Sequence, residues 1–333
     1  MRQNGISMHT LFLRFLKEMQ NKGRLNYEAG YPLYKVSTFG IGGKAKYYVR
    51  PKTEEALIET VRAARQAEIA HIVIGNASNL LFDDTGYFGA VISTVKISGV
   101  FSVDDESIGK NRLFAFCGAK LPVLSGRALQ YGFTGFEGLC SIPATVGGAL
   151  RSNAGAFGNE ISDHLEYVKV FSEERDEAFL KSKAECGFSY RSSRVSENGE
   201  IILCACFSCE QRDKAQIAEK MKHCKSKRSA SQPTGVKSAG CYFKSPFPSE
   251  ITDPRYGSAS AGEIIDRCGL KGLTVGKAAV SDVHGNFIIN TAEKGSASDV
   301  LKLAETVKET VYKKTGILLR EEVVFVRNPG KRV

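Results

Sequence analysis

The residues of this chain that most clearly imply chemistry are glycines, not acids, bases or thiols. Six glycines lie between Gly135 and Gly158, in Phe136-Glu-Gly-Leu-Cys-Ser-Ile-Pro-Ala-Thr-Val-Gly-Gly-Ala-Leu-Arg-Ser-Asn-Ala-Gly-Ala-Phe-Gly158, with Pro143 in a short apolar run and Asn153 ahead of the last pair. No strand or helix needs so many, because each glycine raises the entropy cost of ordering the backbone. They suit a main chain that passes close to something flat or anionic and presents N–H groups to it. Tight turns between strands are the plain alternative. A second loop, Ile72-Val-Ile-Gly-Asn-Ala-Ser-Asn-Leu-Leu-Phe82, runs from an apolar strand into Gly75 and then into small polar residues. Its backbone N–H groups and the Ser78 hydroxyl suit phosphate oxygens. Together the two loops predict a phosphate-bearing cofactor.

Other motifs add less. In Cys204-x-Cys206-x-x-Cys209, Cys204 and Cys206 share one face of a strand while Cys209 points to the other, and no fourth ligand is evident. Small buried hydrophobes account for them better, and no metal is expected. The five histidines, His9, His71, His164, His223 and His284, are scattered, and none pairs with a cysteine or carboxylate in sequence. No nucleophile elbow marks a Ser-His-Asp hydrolase. Gly40-Ile-Gly-Gly-Lys-Ala45 has dinucleotide-loop spacing, yet it leads into the strand-like Lys46-Tyr-Tyr-Val-Arg50 where a Rossmann loop opens a helix.

The elements around these loops follow from caps and periodicity. Tyr47–Val49 reads as a strand ended by Pro51, and Thr53 caps a helix through about Gln66 with glutamates in its first turn. Further strands fall at Ile72–Ile74, Ala90–Val95, Leu113–Cys117, Val168–Phe171 and Ile201–Cys209, with a helix at Leu121–Tyr131. The last third has helices at Lys214–Cys224, Gly262–Cys268 and Ser298–Lys314 and strands at Phe287–Asn290 and Glu322–Val326, a small α+β domain. The main boundary is placed near residue 212. Thr10–Met19 is an amphipathic helix too short and too charged to span a membrane, either packed on the domain or extending from it.

At 333 residues, 42% hydrophobic and 25% charged, the chain can bury a sizeable core in two or three units. Nine cysteines without regular spacing, and no secretory leader, suggest free thiols in a reducing cytoplasm. The net charge of +10 is concentrated between Arg212 and Lys244, where nine Lys or Arg face Asp213 and Glu219. Only Tyr242 and Phe243 are aromatic there, so nucleic acid has no stacking platform. A nucleotide-sugar diphosphate accounts for the same excess, and a solvated lysine face on the helix for about half of it.

Thr38-Phe-Gly-Ile-Gly-Gly43, the loop at Gly75–Leu80 and the glycine-rich run to Gly158 resemble, in that order, the motifs of UDP-N-acetylenolpyruvoylglucosamine reductases. The resemblance continues through Tyr190-Arg-Ser192, Ser238-Ala-Gly-Cys-Tyr-Phe-Lys244, Ala261-Gly-Glu-Ile-Ile265 and Glu322-Val323, and so covers about residues 31 to 326. It implies an α+β fold: a two-subdomain flavin-binding unit of the vanillyl-alcohol-oxidase/PCMH type at 31–212, then a smaller α+β substrate domain at 213–333, with 1–30 as an N-terminal extension. It implies non-covalent FAD, NADPH as electron donor, and a cytoplasmic monomer that binds no nucleic acid and does not insert into membranes. The cofactor residues it implies are Gly75, Asn76, Ala77, Ser78, Asn79 and Leu80 in one loop, Ser141, Ile142, Pro143, Thr145, Gly148, Asn153, Gly155 and Ala156 in the other, and Ile202.

The same resemblance makes Arg191 the active-site arginine, puts Cys241 where most members have serine, and makes Glu322 the terminal glutamate, with Glu321 as a one-residue rival. Tyr190, Lys227, Arg228, Lys244, Ser245 and His284 become substrate contacts. Cys241 follows Arg191 by 50 positions, which suits the shorter type of the family. Ala77 replaces a glycine of the flavin loop and is expected either to keep a negative φ or to turn its methyl from the phosphates. Ala144 likewise replaces a glycine, and Ser245 stands where many members have asparagine or a basic residue. Two other readings share these residues: a flavin oxidase of the same superfamily, and a non-catalytic protein binding flavin or nucleic acid.

Overall fold

The computed structural model describes residues 7–105, 109–251 and 253–329. They divide into two compact units, one comprising residues up to Gly30, Lys46–Asn76 and Gly89–Lys227, the other Tyr31–Ala45, Ala77–Phe88 and the chain from Arg228 on.

The first unit begins with the helix Met8–Asn21, capped by the Ser7 side chain. Phe12, Leu16 and Met19 fall on one face and are buried, and Phe12 meets the Tyr47 ring edge-on at 5.4 Å. The segment is therefore packed on the unit. A four-stranded sheet follows in the order Leu25–Pro32, Lys44–Pro51, Tyr87–Ser93, His71–Ile74, the last two parallel. The helix Glu54–Gln66 starts where Thr53 accepts a hydrogen bond from Ala56 N, and it buries Leu57, Val61 and Ala64. A five-stranded antiparallel sheet runs Glu177–Ser182, Leu165–Ser172, Ile201–Ser208, Gly109–Phe116, Val100–Asp105. The helix Leu121–Tyr131 ends at Gly132, whose φ of +77° suits its C-cap. Leu57, Ala90, Leu113, Leu124, Leu150 and Leu203 share one core.

The basic helix runs from Lys214 to Ser231, one and a half turns or more beyond the Cys224 expected, because no breaker intervenes before Pro233. Ile217, Met221 and Cys224 form its buried stripe and pack on Cys140. Lys225 and Lys227 project into solvent beyond that stripe.

The second unit holds a four-stranded antiparallel sheet in the order Lys237–Cys241, Phe287–Asn290, Ala278–Val280, Thr274–Val275. It packs with the helices Ala261–Arg267 and Ala297–Thr315 around Tyr242, Ile264, Val300 and Val307. Two short pairings complete it: Phe243–Lys244 antiparallel to Arg320–Glu321, and Leu80–Phe82 parallel to Val324–Val326. The strand expected at Glu322–Val326 begins only at Val324, because Glu322 and Val323 lie between two short pairings with different partners.

The glycines of Gly40–Gly43 serve packing. A Cβ at Gly42 would lie 2.7 Å from Phe82 Cβ, and one at Gly43 would lie 2.4 Å from both Asp84 O and Gly86 N. The loop leads into the strand Lys44–Pro51, and no helix opens there. Asp84 in turn accepts from Ala297 N at 2.7 Å and Ser298 N at 3.1 Å, fastening the turn at Asp83–Gly86 to the start of a helix.

Candidate functional site

In the first unit the two glycine loops meet at Thr145. A Cβ on Gly75 would lie 2.2 Å from Thr145 Oγ1, and Asn76 Nδ2 donates to Pro143 O at 2.8 Å. Thr145 caps the short helix Val146–Arg151, its hydroxyl accepting from Gly148 N at 3.3 Å. The other first-turn amides are also engaged, Val146 N with Ala119 O and Gly147 N with Cys117 O, both at 2.8 Å. Ligand contacts therefore fall to the rest of the loop. There Ser141 Oγ and Asn153 Oδ1 are buried and have no protein partner. Asn153 Nδ2 is satisfied by Glu160 Oε2 at 2.7 Å and Ser189 O at 3.2 Å, so the open carbonyl oxygen calls for a donor from outside. Ile142 is half-buried, Gly155 and Ala156 pair with Asn159 and Glu160, and Ile202 lies buried in the strand Ile201–Ser208 beneath the short helix.

Arg191 belongs to the same cluster. Ser189 and Ser192 exchange backbone hydrogen bonds at 3.2 Å, making Tyr190 and Arg191 the two residues of a tight turn. Arg191 takes φ +54°, a left-handed conformation costly for a side chain of its size. Its guanidinium lies over the Tyr190 ring at 5.5 Å and donates to Asn153 O at 3.5 Å and Gly155 O at 3.4 Å. The turn and the glycine loop thereby fix the cation together.

In the second unit Ala77 is buried with φ +49°. The negative φ is not adopted, so only a methyl turned from the ligand is compatible with a role in the loop. Ala144, by contrast, has no positive φ and its carbonyl accepts from Leu121 N at 2.9 Å. Asn79 Nδ2 donates to Glu322 O at 3.0 Å, and Glu322 N donates to Tyr242 O at 2.8 Å. Glu322 is thus brought beside the segment that carries Cys241. Glu321 points elsewhere, in an ion pair with Lys308 at 2.9 Å. Cys241 ends its strand after a register shift, with Gly240 at φ +80°, an irregularity that re-aims its side chain.

Ser245 and His284 converge on the start of the helix Ala261–Arg267. Ser245 Oγ accepts from Ala261 N at 3.2 Å, and a Cβ on Gly262 would lie 2.6 Å from the His284 ring. Burial, then the charge of Lys271, holds the His284 pKa below the ordinary value, and its Nδ1 accepts from Asn286 N at 3.1 Å. Lys227 and Arg228 lie on the basic helix, and Lys244 is half-buried beside Phe243.

Two residues escaped the sequence reading. Thr38 Oγ1 is buried without a protein partner, and Asn286 holds both polar groups of Phe243, accepting from its N at 2.9 Å and donating to its O at 2.8 Å. The motif containing Thr38 was visible in sequence, but the unsatisfied hydroxyl was not. The cysteines of the Cys204–Cys209 run are held as thiols by burial, Cys209 at about 12. Among the described residues no group of three His, Cys, Asp or Glu is placed to hold a metal, and no helix is long and apolar enough to cross a membrane.

Known proteins agree with this arrangement. Residues 45–175 match the family model described as FAD binding domain, and residues 232–326 match that of the UDP-N-acetylenolpyruvoylglucosamine reductase C-terminal domain. The UDP-N-acetylenolpyruvoylglucosamine reductase of Caldicellulosiruptor bescii is 38% identical over 316 residues, 94% of this chain and 95% of its own length. That of Carboxydothermus hydrogenoformans is 40% identical over 294 residues, covering 88% of this chain and 91% of its own. A crystal structure of the Thermus caldophilus enzyme superposes with a TM-score of 0.72 at 34% identity, covering 91% of this chain and 98% of that one. The fold and its two loops define an FAD-dependent oxidoreductase with an α+β flavin-binding unit and a separate C-terminal domain. More narrowly, the chain belongs to the UDP-N-acetylenolpyruvoylglucosamine reductase family.

Proposed function

We propose that the protein works as a cytoplasmic monomer that reduces the enolpyruvyl ether of UDP-N-acetylglucosamine to the lactyl ether of UDP-N-acetylmuramate, with NADPH as electron donor. Residues 31–212 serve the cofactor and 213–333 the substrate. The observation that carries the reading is Asn153, which shows an open buried carbonyl oxygen on its side chain while its main chain holds the Arg191 guanidinium. One residue thus belongs both to the cofactor loop and to the placement of the active-site cation. FAD held there non-covalently would supply the hydride-transfer chemistry between NADPH and the carbon–carbon double bond of the substrate. Ser141 Oγ and Asn153 Oδ1 fit a group rich in donors and acceptors, and with Gly75, Asn76 and Thr145 they would hold it.

Hydride addition at the terminal carbon leaves negative charge on the neighbouring carbon and, through it, on the carboxylate. Fixed positive charge aimed there before reaction lowers the barrier most. Arg191 supplies it as a permanently charged fork held by two carbonyls. Glu322 in its protonated form donates to the second carboxylate oxygen, and Cys241 delivers the proton that completes the product. Lys227, Arg228 and Lys244 serve the diphosphate, and Tyr190, Ser245 and His284 are further substrate contacts.

The test is turnover by the purified yellow protein. NADPH consumption is expected to require the enolpyruvyl substrate, and Arg191→Ala is expected to lower kcat by about 10²-fold or more with little change in KM. An Arg191→Ala enzyme with parental kcat and only a raised KM would assign the arginine to binding alone.

A further inference from the structure

Glu322 lies in a gap between two short strand pairs, Arg320–Glu321 with Phe243–Lys244 on one side and Val324–Val326 with Leu80–Phe82 on the other. Several hydrogen bonds cross that gap. Glu322 N and Val323 N donate to Tyr242 O at 2.8 and 3.3 Å, Val324 N donates to Asn79 O at 3.0 Å, and Asn79 Nδ2 donates to Glu322 O at 3.0 Å. The parallel ladder begins at the Leu80–Val324 pair, and the Asn79 side chain adds a hydrogen bond just beyond its end. The other bonds named join main chain to main chain and survive any ordinary substitution. Among them, the amide of Asn79 is the one a substitution removes.

We infer that Asn79 is a positioning residue for Glu322. Its amide grips the carbonyl of that residue and so sets the direction in which the glutamate side chain leaves the backbone. Asn79 belongs to the loop of Ala77 and Ser78, so the register of that loop and the placement of the glutamate are one mechanical unit. This inference rests on the proposed role of Glu322 and assigns Asn79 a task other than cofactor contact. Loss of the Asn79 hydrogen bond lets the Glu322 segment relax, and a shift of about 1 Å at a reacting group costs on the order of 10²-fold in rate.

The experiment compares the holoenzymes Asn79→Ala, Asn79→Asp, Glu322→Gln and Asn79→Ala/Glu322→Gln. Asparagine and aspartate have the same shape, so Asn79→Asp carries the test if the alanine variant folds poorly. The FAD dissociation constant and the rate of reduction by NADPH are expected within about twofold of the parent. The rate at which the enolpyruvyl substrate reoxidises the reduced enzyme is expected to fall by about 10- to 100-fold, with the acid limb of its pH profile displaced. In the Glu322→Gln background, Asn79→Ala is expected to add less than twofold, because its effect passes through a carboxyl already removed. Weakened FAD binding with an unchanged substrate half-reaction overturns the inference and makes Asn79 a cofactor ligand. Additive slowing in the double variant overturns it as well. A fully active Glu322→Gln enzyme instead overturns the role of Glu322, and the inference falls with it.

Discussion

At the residue scale three of the candidate site residues carry backbone strain. Ala77, Asn153 and Arg191 all take positive φ although none is glycine. Such conformations cost about 1 kcal/mol or more each and persist where surrounding structure imposes them. Ala77 is the informative case, because its methyl is buried and its φ of +49° is one that glycine adopts freely. Ala77→Gly is expected to raise stability by about 1 kcal/mol while leaving the flavin content unchanged; chemical denaturation of the two proteins with flavin bound measures it. A loss of stability would mean that the buried methyl contributes more than the strain costs. Arg191, Cys241 and Glu322 looked ordinary by residue type and spacing and were singled out in the sequence only through the family resemblance. The open atoms of Ser141, Asn153 and Thr38 were not legible at all, because an unsatisfied hydrogen bond depends on everything else packed around the group.

At the scale of elements, legibility followed the strength of local signals. The helix Leu121–Tyr131 coincides with its expectation, and Thr53 caps Glu54–Gln66 as its type and position predict. The extension of Lys214–Ser231 and the gap at Glu322 escaped, the first because lysine and serine are weak terminators, the second because strand pairing is decided by distant partners. Gly43 joins both lessons. It looked like part of a dinucleotide loop, yet its role is to let one loop lie against the main chain at Asp84 and Gly86. Gly43→Ala forces a methyl to 2.4 Å from two backbone atoms and is expected to cost about 1–3 kcal/mol of stability, read from the shift in denaturation midpoint. A parental midpoint would show that the turn at Asp84–Gly86 gives way at no cost.

For the molecule as a whole, the pH dependence of stability is predicted by one ion pair within the first unit. His71 sits on the strand leading to Gly75, with Nε2 3.0 Å from Glu173 Oε2 and Nδ1 3.2 Å from Ile69 O, and Arg65 Nε lies 3.8 Å from the same carboxylate oxygen. Burial opposes the imidazolium, but the Glu173 carboxylate and the Ile69 carbonyl more than reverse it, leaving its pKa above 6.5. The hydrogen bond from His71 holds Glu173 below 4.5. A raised histidine stabilises fully below its unfolded pKa of 6.5 and ceases to do so as pH rises through the folded value. A depressed glutamate stabilises above 4.5 and ceases to do so as pH falls through its folded value. The pair is therefore most effective between these limits. The thermal midpoint of the parent is expected to fall from pH 6 toward pH 8 more steeply than that of His71→Gln, and parallel curves would remove the pair from the pH response.

The division of labour assigned to the whole enzyme is tested most directly by rapid mixing of Cys241→Ala through its two half-reactions. Reduction by NADPH requires no acid from Cys241 and is expected to proceed at a near-parental rate. Reoxidation by the enolpyruvyl substrate is expected to slow by about 10²- to 10⁴-fold, with Cys241→Ser retaining substantial activity. Equal slowing of both half-reactions, or of neither, would contradict the assignment of Cys241 as the proton donor.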